Sequence, residues 1–326
     1  MKSVILAVGI SALLCVVLGK IAVPWLKRLR AGQVVLGYVK EHENKSGTPT
    51  MGGLFFFVSA MIAYLIVGDW GKTATLCLVV GGAYLIVGFL DDFIKIFFHR
   101  NLGLRAYQKA IFQTAIAMLA AFFAYRNELT RCYLPFVDGS VDLKGWCIPF
   151  YTFIFLATTN CVNLTDGLDG LAAGTTMVYL TFIGIFVLFS TELCQTYYIA
   201  NVEKTAIAVL CACFVGTLLG FLVYNVPRAS VFMGDTGSLC LGGIVASVTI
   251  FSGFSLFLPI LGIMYVLSGI SVIVQVLHFK RTGKRIFLMA PLHHHFQKKG
   301  YSESKISFCY AFIGALIGCF LLYAVL

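Results

Sequence analysis

Apolar residues gather in long runs along this chain, and short polar stretches separate them. The runs fall approximately at 3–23, 52–67, 74–90, 109–125, 147–162, 171–189, 205–224, 238–252, 255–277 and 306–325. A helix rises about 1.5 Å per residue and a bilayer's hydrocarbon is about 30 Å thick, so each run suits one helical crossing. The pattern therefore predicts about ten transmembrane helices. The boundary between the eighth and ninth is the faintest, because hydropathy is continuous over 238–277 and only Ser252, Gly253, Ser255 and Pro259 mark a turn. About forty residues in one helix would span roughly 60 Å, twice what a bilayer needs, so two spans are expected. No soluble appendage, low-complexity linker or internal repeat interrupts the pattern, and residues 1–326 read as a single all-α, polytopic membrane domain. The first run follows a lone Lys2, has no small-residue cleavage pattern after it and exceeds a signal-peptide core, so it is expected to be retained.

Composition agrees and removes the soluble alternatives. The 326 residues are 60% hydrophobic and 12% charged, against roughly 25% charged in a soluble globular domain. The 11 cysteines lie mostly inside the apolar runs with no CxxC spacing, which argues against metal or disulfide roles. Cys132 and Cys147, flanking the longest loop of the outer face, are the one pair placed for a bridge.

Charge sets the orientation. Segments 24–51, 91–109, 225–237 and 278–305 hold 5, 4, 1 and 7 Lys or Arg, and the alternate loops with Lys2 hold 6. Basic loops stay in the cytoplasm, so both termini are expected on the periplasmic side. This assignment gathers all six histidines with Asp91, Asp92, Asp166, Asp169 and Asp235 on the cytoplasmic face. A transporter or proton pump more often carries ionisable groups near mid-span, lining a path. Groups at helix ends favour a reaction at the boundary of membrane and cytosol.

The stretch Asn163-Leu164-Thr165-Asp166-Gly167-Leu168-Asp169-Gly170 is the centre of the candidate chemistry. Polar groups are costly in hydrocarbon, so two carboxylates, an amide and a hydroxyl between two apolar runs mark the mouth of a membrane-embedded site. Carboxylates there can hold a divalent metal or accept hydrogen bonds from a base or sugar. The plainer readings are a polar turn, a glycosylation sequon at Asn163 and a calcium loop, whose closing Glu is absent.

Four other loops carry comparable groups. In Lys45-Ser46-Gly47-Thr48-Pro49-Thr50-Met51-Gly52-Gly53, Lys45 suits a phosphate and Thr50 is placed to cap the next helix. Asp91-Asp92 closes the third span with Lys95 one turn on; adjacent carboxylates repel unless a cation or proton lies between them. In Asn225 to Ser238, Asp235 can ligate a hard cation, Phe232 can stack on a flat heterocycle, and Gly234 and Gly237 lead amides towards a phosphate. Consecutive His293, His294 and His295 cannot easily converge on one zinc ion and are better suited to phosphate or sugar. No Walker A motif, dinucleotide fingerprint or GxSxG elbow is present. The oxygen-rich Asp set points to Mg²⁺ or Mn²⁺ bridging to substrate phosphates. The basic face suits a polyanionic substrate.

Taken together these stretches resemble the phospho-N-acetylmuramoyl-pentapeptide-transferase (MraY) family, within the polyprenyl-phosphate N-acetylhexosamine-1-phosphate transferases, over essentially the full length. The Asp motifs are shared across the wider superfamily. Pro49 to Gly53 and Pro291-Leu292-His293-His294-His295-Phe296 point to the muramoyl-pentapeptide branch. The resemblance implies a multi-pass protein of the bacterial inner membrane. It would transfer phospho-MurNAc-pentapeptide from UDP-MurNAc-pentapeptide to undecaprenyl phosphate, giving lipid I and UMP, with Mg²⁺ required. It implies Asp235 as the principal metal ligand, with Asp91 and Asp92 in the catalytic cleft, one of them a candidate base. Lys45, Lys95, Lys109, Asn163, Asp166, Asp169, Asn225, Phe232, Gln275 and His293 to His295 would contact substrate. Membrane lipids are expected partners, nucleic acid is not, and a homodimer is among the allowed assemblies.

Direct attack by the lipid phosphate is preferred to a covalent Asp intermediate, because that phosphate is already largely ionised. The ninth span is a candidate wall of the lipid's path, bent at Pro259 and Gly269. Asp235→Ala is expected to abolish turnover and Asp138→Ala, on the outer loop, to do little. The rival functions are a transferase for another UDP-N-acetylhexosamine, and a lipid or nucleotide-sugar transporter, which would leave the pyrophosphate whole.

Overall fold

The computed structural model describes residues 1–28, 47–98, 102–137, 139–189 and 201–325. Lys45 and Asp138 lie outside them. Ten helices overlap the ten apolar runs: α1 (Lys2–Arg28), α2 (Gly53–Val67), α3 (Lys72–Phe97), α4 (Ala106–Arg126), α5 (Cys147–Thr165), α6 (Leu171–Leu188), α7 (Asn201–Asn225), α8 (Gly234–Phe251), α9 (Ile263–Thr282) and α10 (Glu303–Val325). Eight of these are long and apolar enough to cross a membrane, while α2, at 15 residues, and α4 are not among them. A short helix, Leu292–Lys298, carries the histidines, and a small antiparallel hairpin, β1 (Arg131–Tyr133) with β2 (Ser140–Asp142), pairs Arg131 with Asp142.

Helix α8 is the axis of the bundle. Its residues from Thr236 to Phe251 are all buried, and α2, α3, α5 and α6 pack around it. Small residues permit this: a side chain at Gly53 would strike the backbone of Gly237, and one at Gly88 would strike the carbonyl of Asp235. Where lipid is as apolar as the helices themselves, close backbone approach of this kind drives helix association. On the periphery, α1, α9 and α10 expose Leu13, Ile21, Ile273, Leu277, Phe308 and Phe320. Such outward apolar faces suit a hydrocarbon solvent.

The expected turn between the eighth and ninth helices is present. Helix α8 ends at Phe251, Gly253 adopts a left-handed φ of 79°, and a 3-10 turn (Ser255–Phe257) and one helical turn (Leu258–Leu261) precede α9. The Gly253 carbonyl accepts the amide of Tyr133 at 2.9 Å and anchors the hairpin. Pro259 therefore precedes α9 and does not bend it, and Gly269 serves close packing against Cys161 of α5. The Cys132–Cys147 bridge is not formed. Both thiols are free and buried, and Cys132 Sγ lies 2.9 Å from Ser255 Oγ.

Three helix ends differ from the apolar runs in a way that matters for chemistry. Helix α3 continues two turns past its run, so Asp91, Asp92 and Lys95 are helical; α5 reaches Thr165 and so includes Asn163; and α8 starts at Gly234, so Asp235 stands in its first turn. Hydropathy marks where hydrocarbon ends. The helices continue because their polar side chains find partners in one another.

Candidate active site

The polar ends of α3, α4, α5 and α8 meet at one end of the bundle. Asp91 and Asp92 are each only 3% exposed, and buried charge is tolerated only when paired. Asp91 accepts the amide of Leu104 at 2.8 Å through Oδ1 and pairs with Lys95 Nζ at 2.6 Å through Oδ2. Asp92 Oδ2 accepts the amide and the hydroxyl of Thr236 at 2.9 and 2.7 Å. Asp92 thus occupies the anion position that the first turn of α8 offers.

Asp235 lies between these groups and the cations. Its Oδ2 accepts Lys95 Nζ at 2.7 Å and Lys109 Nζ at 3.2 Å, and its Oδ1 accepts Asn163 Nδ2 at 2.6 Å. Asn163 Nδ2 also lies 2.8 Å from Ser238 Oγ, so its amide is committed inside the bundle, unlike that of a glycosylated asparagine. One oxygen from each of Asp91, Asp92 and Asp235 falls within a mutual distance of 4.8 Å. Three carboxylates against two ammonium groups leave one net negative charge. This all-oxygen set fits a hard divalent cation such as Mg²⁺, with the Lys95 ammonium already bridging Asp91 and Asp235 beside it.

The octet forms the adjoining wall. Asp166 caps α5, and its carboxyl is held well above the usual carboxylate range by desolvation and then by the charges of Asp235, Asp92 and Asp169. Asp169 is buried, accepting the amide of Ala229 at 3.2 Å and, through its carbonyl, the hydroxyl of Ser307 at 3.0 Å. Gly170 has φ 73°, and its amide donates to Asn225 Oδ1 at 3.0 Å while Asn225 Nδ2 donates to the Val231 carbonyl at 2.9 Å. Asn225 is therefore a brace between two loops of the site. Phe232 is partly exposed, and its backbone pairs with Pro49 and Gly52 at 2.8 and 2.9 Å. This pairing joins the loop after Lys45 to the loop before Asp235.

His293 and His294 converge on Gly167 with their ring centroids 4.4 Å apart, and only His295 is engaged elsewhere. His293 is buried beside Gly167 with neither ring nitrogen hydrogen-bonded, and burial followed by the neighbouring His294 holds it down at about 3. His294 turns its Nε2 towards Gly167 and its Nδ1 towards Gln297. His295 Nδ1 accepts the amide of Leu288 at 3.1 Å. Gln275 spends its amide on Ile286 and Phe287. It braces the loop after α9, and no hydrogen bond among the described residues joins it to the Asp235 cluster.

Two sequence expectations are corrected. Thr50 does not cap α2, whose N-cap is Gly52; its hydroxyl and Asp92 Oδ2 instead both border Gly234. Gly237 does not face a phosphate but packs on Gly53 and Phe56, and the Thr236 amide is taken by Asp92. Thr236, Ser238, Gln297 and Glu303 belong to the site's hydrogen-bond network and were not selected from sequence. Thr236 and Ser238 stand next to Asp235, which was a usable signal, whereas Glu303 reads as an ordinary helix-starting acid.

Comparison with known proteins is consistent across the chain. The profile described as glycosyl transferase family 4 matches residues 74–253, and the phospho-N-acetylmuramoyl-pentapeptide-transferase signature 1 matches residues 45–57. Curated proteins named phospho-N-acetylmuramoyl-pentapeptide-transferase align over nearly the whole length. That of Caldanaerobacter subterraneus subsp. tengcongensis is 43% identical over 310 residues, covering 95% of this chain and 94% of its own. That of Thermoanaerobacter sp. (strain X514) is 41% identical over 322 residues, 98% of each chain. That of Clostridium botulinum (strain Alaska E43 / Type E3) is 44% identical over 306 residues, covering 92% of this chain and 90% of its own.

Proposed function

The chain belongs to the phospho-N-acetylmuramoyl-pentapeptide-transferase family, and from that premise we propose that the Asp91–Asp92–Asp235 cluster with Lys95 and Lys109 is where its reaction takes place. The reaction moves phospho-MurNAc-pentapeptide from UDP-MurNAc-pentapeptide to undecaprenyl phosphate, producing lipid I and UMP. The observation that carries the assignment of the site is the convergence of three carboxylates, two lysines and an amide from four helices on one position at the bundle end.

In the proposed course, an oxygen of the lipid phosphate attacks the sugar-linked phosphorus of the nucleotide-sugar. The new phosphorus–oxygen bond forms as the bond from that phosphorus to the bridging oxygen breaks, and UMP departs with the bonding pair. Lys95 and Lys109 offset the repulsion between the two anions and the charge that develops on UMP. Asp235 fixes the lysines' positions, Asn163 holds the Asp235 carboxylate, and Asp92 fixes α8 on α3. Asp91 and Asp92 are both tied to backbone amides or lysine, which favours an electrostatic and positioning role over nucleophilic attack. A bound Mg²⁺ on Asp235, flanked by Asp91 and Asp92, would supply further neutralisation of pyrophosphate charge. With the basic loops inside, the site would open to the cytoplasm and the chain would cross the bacterial inner membrane about ten times as one domain.

The test is purified protein with UDP-MurNAc-pentapeptide, undecaprenyl phosphate and Mg²⁺, scored for lipid-linked product and UMP. Product that forms equally well with chelator present would overturn the metal's role. Absence of UMP release in any divalent metal would overturn the site.

A further inference from the structure

We propose that Glu303, acting through Gln297, determines which ring nitrogen of His294 carries the proton, and that both are positioning residues for the nucleotide-sugar. The proposal rests on the reading that His294 meets that substrate. Glu303 opens α10 and divides its carboxylate between two segments. Its Oε2 accepts the backbone amide of Asp169 at 3.2 Å, and its Oε1 accepts Gln297 Nε2 at 3.3 Å. On its other side Gln297 Oε1 lies 2.9 Å from His294 Nδ1.

The donor and acceptor roles along this chain are forced. An ionised carboxylate only accepts, so the Gln297 amide must turn its NH₂ group to Glu303 and its carbonyl oxygen to His294. A carbonyl oxygen also only accepts, so the proton in the second contact belongs to Nδ1 of His294. In the neutral ring Nε2 is then the acceptor, and a further proton would be taken there. Nε2 is the nitrogen beside Gly167, where an added side-chain carbon would lie 3.0 Å away. A hydroxyl or amide N–H of the sugar-nucleotide is the chemistry such a nitrogen accepts. The same carboxylate secures Asp169, so a single anion sets both the octet loop and the histidine helix.

Without Glu303 the Gln297 NH₂ group loses this acceptor, and an NH₂ group turned to Nδ1 would move the histidine proton to Nε2. The experiment is ¹⁵N NMR of histidine-labelled full-length protein near neutral pH, with His294 assigned by its loss in His294→Gln. It is paired with KM and kcat for UDP-MurNAc-pentapeptide. Wild type should show Nδ1–H. Glu303→Ala should shift His294 to Nε2–H or a mixture and raise KM about tenfold, with a smaller change in kcat. Glu303→Gln retains an acceptor for Gln297 and should keep Nδ1–H, which separates the relay from a loss of fold. Adding Gln297→Glu to Glu303→Ala restores an acceptor at Nδ1 and should return both the tautomer and KM. Nε2–H in wild type, or an unchanged tautomer in Glu303→Ala, overturns the relay. A tautomer that follows the variants while KM stays constant upholds the relay and overturns the contact between His294 and substrate.

Discussion

Asp235 meets Lys95, Lys109 and Asn163 at once, so its removal leaves two ammonium groups and an amide without their common acceptor. Asp235→Ala is expected to lower kcat by at least about 10²–10³-fold, the usual cost of a lost electrostatic anchor. Asp142→Asn, on the hairpin at the opposite end of the bundle, where its carboxylate accepts Thr130 and the Lys144 amide, should leave turnover unchanged. Steady-state assays of the two variants side by side check this. Two titrating groups predict opposite pH behaviour of stability. His293, held at about 3 against an unfolded value near 6.5, contributes stability fully present above about pH 6.5 and lost as pH falls towards 3, at up to about 1.4 kcal/mol per unit. Asp166, held above its unfolded value, contributes stability present below about pH 4 and lost as pH rises through its native value. Melting of detergent-solubilised protein should therefore become less pH-dependent on the acid side in His293→Gln. In metal-free protein, Asp166→Asn should gain over wild type as pH rises and lose that gain in acid. At this scale the sequence was informative: the paired Asp, the octet and Asp235 are polar residues where apolar ones are expected, and each lies in or beside the cluster. Gln297 and Glu303 were hidden because a polar residue at a helix end has many ordinary explanations.

At the scale of elements, hydropathy located the helices and missed where they end. A run stops at the first charge, but a helix stops only when its backbone or side chains run out of partners, and Asp92 finds Thr236 across a contact that sequence distance conceals. The faint turn after Phe251 was legible because glycine and serine there interrupt an otherwise continuous run. What hydropathy could not reveal is which helix is central, since an apolar face turned to lipid and one turned to protein read alike. Glycine placement would have helped: Gly81 and Gly88 of α3, and Gly237, Gly242 and Gly243 of α8, all stand where a side chain would meet a neighbour. Gly88→Ala should push α3 off the Asp235 carbonyl and displace Asp91 and Asp92 together. Both the melting temperature and kcat should fall, whereas Gly145→Ala, in open space at the opposite end of the bundle, should change neither.

For the whole molecule, the hydrogen bonds divide the bundle into two ends. One holds the carboxylates, the octet and the histidine helix; the other holds Glu203 on the amides of Lys72 and Thr73, the hairpin and Asp142 on Thr130. If the first end faces the cytoplasm, as proposed, a cysteine introduced at Ser140 should react with a membrane-impermeant maleimide in cells whose membrane is intact. One at Lys284 should react only after permeabilisation, and the reverse pattern would invert the topology. The backbone contact of Gly88 with Asp235 has a further bearing on drug resistance. A compound that fills the space beside Asp235 abuts the wall formed by α3 and α8, where a side chain at Gly88 would strike the Asp235 carbonyl and force the two helices apart. Bacteria escaping such a compound would be driven to alter the loops that surround it, so its binding groups are best aimed inward at that wall.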